Sequence, residues 1–184
     1  MKIIICAIVA ALGISIAAHA AEKEAAMAQF SLTSPSFRNG QPMPAKFSCE
    51  GADASPALKW EGAPAGTKSF VLITEDPDAP GGTFVHWVIY GIPASTAELP
   101  ENVAKTESVA ALGNAKQGAS SFGRVGYGGP CPPKGHGVHH YHFKLYALDT
   151  ELNLAPRVKS HQLEAAMKGH IIAQTELVGT YRRD

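Results

Sequence analysis

Cysteine is scarce in this chain: three occur among 184 residues, at positions 6, 49 and 131. None forms a Cys-x-x-Cys pair, so the usual spacing of a cysteine-held metal site is excluded. An excess of one charge is missing as well. Sixteen lysines and arginines balance sixteen aspartates and glutamates. There is then no global basic field to draw in nucleic acid or an anionic membrane, and any anion site has to be local. Beyond residue 18 no apolar run is long enough for a membrane-spanning helix. The glycine-rich stretch lacks the Lys-Ser/Thr ending of a P-loop. Residues 118–123, Gly-Ala-Ser-Ser-Phe-Gly, miss the Gly-x-Ser-x-Gly elbow of serine hydrolases. Internal repeats and low-complexity segments are absent. What remains is an ordinary globular composition and a length that suits one domain.

Residues 1–20 are expected to be a secretory signal peptide. Lys2 supplies the positive end, residues 3–18 the apolar run, and Ala18 and Ala20 the small residues before a cut after Ala20. Cys6 lies inside the apolar run rather than at the cut, which argues against a lipid-modified N-terminus. The expected location is periplasmic or secreted. Losing Lys2 leaves 15 basic against 16 acidic residues, a net charge of −1. Residues 21–29 are Ala- and Glu-rich and are expected to form a flexible tail, with a single domain over 30–184. An oxidising compartment opens a disulfide to Cys49 and Cys131, a pairing that spacing alone does not decide.

Period-two patterning dominates the domain, so the fold class is mainly β. Strands are expected at 30–33, 45–49, 57–60, 69–74, 83–91, 141–148 and 170–181. Residues 69–74, Ser-Phe-Val-Leu-Ile-Thr, show no polar alternation, as in a strand buried on both faces. Residues 94–119 read as a long surface loop with at most a turn of helix. A helix is expected over 160–168, capped by Ser160 and stopped by Gly169.

Chemistry concentrates in three places. The first is the rigid acidic loop at 75–80, where Asp76 and Asp78 flank Pro77. Such residues serve turns, and Asp76 could also orient a pocket histidine. The second is His86, set in an apolar strand beside Trp87, which alternation sends to the opposite face. The third is residues 126–143. Five glycines, three prolines, four histidines, two tyrosines and a cysteine share its eighteen positions. Its glycines can turn backbone N–H groups into a concavity while its prolines stiffen the loop. Alternation puts His139, Tyr141 and Phe143 on one strand face and His140 and His142 on the other. His139 and Tyr141 suit a phosphate-like group against an apolar wall. His140 and His142 could form a metal pair, without the Glu that β-barrel metal sites add. His136, between two glycines, is expected in solvent. Cys131 lies between prolines with no helix N-terminus to activate it, which favours a structural role.

Together these motifs resemble the phosphatidylethanolamine-binding protein family, also called the Raf kinase inhibitor protein family, in its bacterial branch. The residues that carry the resemblance are Asp76, Pro77, Asp78, Ala79 and Pro80, then His86 and Trp87, then Gly129, Pro130, Cys131, Pro132 and Pro133, then Gly137, Val138, His139 and Tyr141. The match runs from about Phe30 to Arg182 and includes Ser55, Pro56, Leu58 and Trp60. The resemblance implies a β-sandwich with a large antiparallel sheet and one or two short peripheral helices. It implies a small anion pocket lined by Asp76, His86, Pro130, His139 and Tyr141, with the Gly128–Gly129 backbone. Eukaryotic members close the pocket with a helix after the last strand. None is read here, so no pocket role passes to Tyr181.

The expected function is binding, not catalysis, and it needs no cofactor. His86 and His139 would donate to a phosphate-type anion, Tyr141 would add its hydroxyl, and the glycine loop would add backbone N–H groups. A protein target reached through the pocket rim is the first alternative, as in members that inhibit kinases or proteases. A metal-dependent hydrolase using His140 and His142 is the second. No nucleic acid and no stable membrane insertion are expected, and a homodimer is implied only by related bacterial members.

Overall fold

The computed structural model describes residues 29–184. The signal peptide expected at 1–20 and nearly all of the expected tail lie outside the described residues. Ten strands follow in order: β1 (Ser31–Thr33), β2 (Gln41–Pro42), β3 (Leu58–Glu61), β4 (Ser69–Asp76), β5 (Phe84–Pro93), β6 (Glu98–Leu99), β7 (Ser108–Val109), β8 (Ala115–Gln117), β9 (His139–Leu148) and β10 (Ile171–Tyr181). A helix, α1 (Ser160–Met167), precedes β10. Seven strands form a large sheet in the order β2-β10-β9-β4-β5-β8-β7, and β1-β3-β6 form a small one. Every pairing is antiparallel except the two-residue β2–β10 edge, so the large sheet is mixed at that margin.

The unbroken apolar run of β4 has a direct physical reason. One face carries Phe70 and Leu72 into a core shared with the small sheet, beside Leu58, Trp60 and Leu145. The other carries Val71 and Ile73 beneath Leu163 and Met167 of α1. Burying those four β4 side chains contributes roughly 6–12 kcal/mol before the entropy of ordering them is set against it. The three longest strands, β5, β9 and β10, hydrogen-bond around β4 or beside it, so β4 anchors the register of the whole sheet.

Several local expectations are corrected. Residues 45–49 do not form a strand. Pro44 leads into a 3-10 turn over Ala45–Phe47, closed by Ser48 Oγ donating to Ala45 O at 2.8 Å. Residues 94–119 are more than a loop, since they supply β6, β7 and β8 and extend both sheets. Segments of two or three residues are too short to show a period. α1 begins at Ser160 itself, with Lys159 as the capping residue and the Gln162 side chain accepting from its N–H at 3.0 Å. Gly169, at φ +84°, ends the helix as expected.

The largest departure concerns β5. Pairing with β4 slips between Thr74↔Trp87 and Glu75↔Val85, leaving His86 with no residue opposite. This β-bulge cancels the alternation that would have sent His86 and Trp87 to opposite faces. Trp87 joins the core cluster of Tyr141 and Phe143, and the His86 ring lies 5.1 Å from the Tyr141 ring on the same side.

Candidate functional site

Three neighbouring strands deliver the site from their ends. β4 finishes at Asp76, β5 brings in Phe84 and His86, and β9 starts with His139 and Tyr141. Alternation along β9 acts as the sequence suggests: His139, Tyr141 and Phe143 are buried, whereas His140 and His142 face outward. Asp76, His86, His139 and Tyr141 retain 3%, 4%, 1% and 1% of their exposure, yet all four border a cavity of about 190 Å³. Ala79, Pro80, Pro132 and Pro133 wall it, together with the rings of Phe84 and Phe122. That volume is below the usual range for drug-sized ligands and suits a head group of a few heavy atoms.

The polar groups divide into satisfied and unsatisfied. Asp76 Oδ2 accepts from His139 Nδ1 at 2.7 Å, and Oδ1 accepts from the Asp78 N–H at 2.9 Å. Both carboxylate oxygens are therefore engaged, and the negative charge is turned toward a donor. His139 Nε2 lies 2.7 Å from His136 Nδ1. Two facing ring nitrogens at that distance share one proton between them. His136 is exposed, as expected, and also reaches the pocket histidine through Nδ1. Gly135 and Gly137, at φ +73° and +96°, make the turn that carries it back.

His86 Nδ1 lies 2.7 Å from Gly128 O. A carbonyl only accepts, so Nδ1 carries the proton and, in the neutral ring, Nε2 is left as an acceptor. Burial lowers the His86 pKa, outweighing the Gly128 carbonyl and the Asp76 carboxylate, which raise it. The expectation that His86 donates to an anion therefore fails for the neutral ring. Tyr141 behaves oppositely. Burial first, then the Asp76 carboxylate, push its phenol well above its ordinary value, so the hydroxyl keeps its proton. That hydroxyl is buried beside the Asp76 carboxylate and reaches no acceptor at full hydrogen-bond geometry.

The glycine loop supports the site from behind. The Gly128 N–H donates to His86 O at 3.0 Å, and the Gly129 N–H donates to Asp53 Oδ1 at 2.6 Å. Both amides expected to reach an anion are thus already committed, and neither glycine nor Pro130 borders the cavity. Pro130 O instead accepts from the Cys49 N–H at 3.0 Å. Asp53, which the sequence did not single out, also holds Lys105 at 2.7 Å and Arg124 at 3.3 Å. Its φ of +53° is the one available signal, visible only in the backbone. Cys49 and Cys131 are disulfide-bonded, with Cα atoms 5.4 Å apart. Cys131 itself borders the cavity. Tyr181 takes no part in the lining; its hydroxyl donates to Glu50 Oε2 at 2.6 Å and lies 2.8 Å from Ser48 Oγ.

The outward histidines do not converge. His140 pairs with Asp78 at 2.7 Å and His142 with Glu176 at 2.8 Å, each through Nδ1. Among the described residues no group of three or more His, Cys, Asp or Glu side chains is placed to share a metal ion.

A family model described as phosphatidylethanolamine-binding protein matches residues 33–182. The chain belongs to the phosphatidylethanolamine-binding protein family. A relative from Aquifex aeolicus is 53% identical over 152 residues, covering 82% of this chain and 87% of its own length. The crystal structure of Escherichia coli YbcL, described as a new member of the mammalian family, is 35% identical with a TM-score of 0.80. The alignment covers 85% of this chain and all of that one. A family homologue from Chlamydia trachomatis is 41% identical with a TM-score of 0.76, over 84% and 98% of the two chains. A Mycobacterium tuberculosis relative, 40% identical over 150 residues (82% of this chain and 71% of its own), is named as a candidate lipoprotein. These likenesses extend over 82–85% of the chain.

Proposed function

We propose that this family member is a binding protein for a small phosphate-type oxyanion, working in the periplasm or outside the cell. The buried hydroxyl of Tyr141, which reaches no acceptor at full hydrogen-bond geometry, carries the reading. Leaving such a donor unpaired costs about 1–3 kcal/mol, which an oxyanion accepting from it would recover. Three further features support it. Both Asp76 oxygens already accept a hydrogen bond, one of them from the His139 ring, which partly offsets the carboxylate charge beside the cavity. The cavity accommodates a head group rather than a larger molecule. His139 and His136 together hold a proton that can be redirected to a ligand. Binding rather than turnover is favoured because the Asp76–His139 dyad faces a third histidine instead of a serine or cysteine, and Cys131 is tied in a disulfide. That disulfide, the apolar N-terminal run and the lipoprotein-named relative support a location beyond the cytoplasm.

Titration with methyl phosphate, followed by NMR of the histidine side chains, tests the proposal against a Tyr141→Phe variant. The wild type should saturate at millimolar ligand or below, with His86 and His139 signals moving. The variant should bind about ten- to hundredfold more weakly, the loss of one hydrogen bond to a charged acceptor. Unmoved His86 and His139 signals in the wild type would refute the reading.

A further inference from the structure

The disulfide between Cys49 and Cys131 is chemically lopsided. Both residues are exposed, so solvent and small solutes reach either end of the bond. A cation lies against one sulfur: Arg183 Nη1 donates to Cys131 Sγ at 3.5 Å and to Pro132 O at 3.3 Å. The sulfur of Cys49 has no matching donor among the described residues. Cys49 is followed instead by Glu50, whose carboxylate accepts from the Tyr181 hydroxyl at 2.6 Å and from Arg183 Nε at 3.3 Å. Arg183 is also fixed through its main chain, because its carbonyl accepts from the Gly135 N–H at 3.1 Å. The guanidinium is therefore held beside Cys131 from two directions. A disulfide opens when a thiolate attacks one sulfur and the other departs as a thiolate, and the better stabilised thiolate departs faster. A neighbouring cation favours the thiolate, so the two sulfurs are not equivalent leaving groups.

We propose that Cys49 is a site of reversible modification by a small thiol, with Cys131 as the leaving sulfur. The incoming thiolate forms a bond to Cys49 Sγ. The Cys49–Cys131 bond breaks, and its electron pair stays on Cys131 Sγ beside Arg183. One thiolate is consumed and one released, and one disulfide replaces another, so the step needs no separate oxidant or reductant. The reverse attack by Cys131 restores the original bond. Two contacts survive the cleavage and keep the sulfurs near each other: the Cys49 N–H bond to Pro130 O and the Arg183 bond to Pro132 O. What changes is a wall of the cavity. Cys131, Pro132 and Pro133 line one side of it, and the disulfide ties that side to the chain following the Ala45–Phe47 turn. Exchange at Cys49 removes the tie, so the thiol content of the surroundings sets how firmly this wall is held.

The test treats the oxidised full chain with 2-mercaptoethanol at about pH 8, far below its melting temperature, and quenches early samples with N-ethylmaleimide. Mass spectrometry then maps each cysteine. The single-adduct product should carry mercaptoethanol on Cys49 and maleimide on Cys131, roughly three- to thirtyfold over the reverse arrangement. A ratio below about threefold, or a reversed one, overturns the proposal. The rate should rise in proportion to thiol concentration. A plateau at the rate of global unfolding would show that the bond opens only in the unfolded chain, which also overturns it. Arg183→Gln should bring the ratio close to one, whereas Arg183→Lys, which keeps the charge, should preserve the preference for Cys49. A wild-type ratio in Arg183→Gln removes the role given to the guanidinium. Should that variant fail to fold, the wild-type ratio and its concentration dependence still decide the matter.

Discussion

Replacing both Cys49 and Cys131 by serine isolates what the disulfide contributes. The bridge closes a sequence separation of 82 residues. The loss of unfolded-chain entropy on closing a loop of that length is worth about 4.5 kcal/mol at 25 °C. For a domain of this size, each kcal/mol moves Tm by about 2–4 °C, so the double variant should melt roughly 9–18 °C lower. Both positions are exposed, so the serines bury no new polar group. The native contacts between the joined loops survive, including the Cys49 N–H bond to Pro130 O and the Tyr127 hydroxyl bond to Phe47 O at 2.9 Å. The comparison therefore reports chiefly on the unfolded chain. Calorimetry should be run on oxidised protein, on protein reduced with a dithiol, and on the double variant. The last two should coincide. A fall of less than about 3 °C would refute the loop-closure reasoning, as would a reduced wild type that melts with the oxidised one.

Two further perturbations probe the support of the site. A Cβ added at Gly129 would lie 2.0 Å from the backbone oxygen of Phe47, so Gly129→Ala has to displace one of two chain segments. The expected cost is about 3 kcal/mol, read as a urea midpoint lowered by roughly 1–2 M with unchanged slope; a shift under about 0.3 M contradicts it. His86 links stability to pH. Its folded pKa lies below the unfolded value of about 6.5, so the unfolded chain binds more protons in the window between the two. Stability should fall as pH drops below about 6.5, level off beneath the folded pKa, and be fully present above neutrality. The wild-type minus His86→Asn difference in Tm, followed from pH 4 to 8, isolates this component, and a flat difference speaks against it.

The sheet was readable because burial writes a pattern. The unbroken 69–74 run reports two covered faces, and the β9 alternation sorts His139 and Tyr141 from His140 and His142. The pocket's four polar residues came from motifs whose chemistry is local to strand ends. Three features were hidden for separate physical reasons. The bulge at His86 is a pairing property between strands, so one strand's residues do not encode it. The Gly128 amide is committed to His86 and the Gly129 amide to Asp53, which lies 76 residues from it in the chain. His136 meets His139 because two glycines turn the chain tightly, and glycine spacing alone does not say which way.

The mounting of the pocket on β4, β5 and β9 divides the site into two parts with different freedoms. Asp76, His86, His139 and Tyr141 sit on the strands of the large sheet, near the ends where β4, β5 and β9 meet, so the sheet fixes their spacing. Pro80, Phe122, Pro132 and Pro133 belong to connecting segments outside the strands. Ligand entry has to pass through these connecting segments, and they can lengthen, shorten or change composition while the strand ends stay in register. One fixed set of hydrogen-bonding groups can thus serve ligands of different size, with the rims of individual proteins deciding what reaches it.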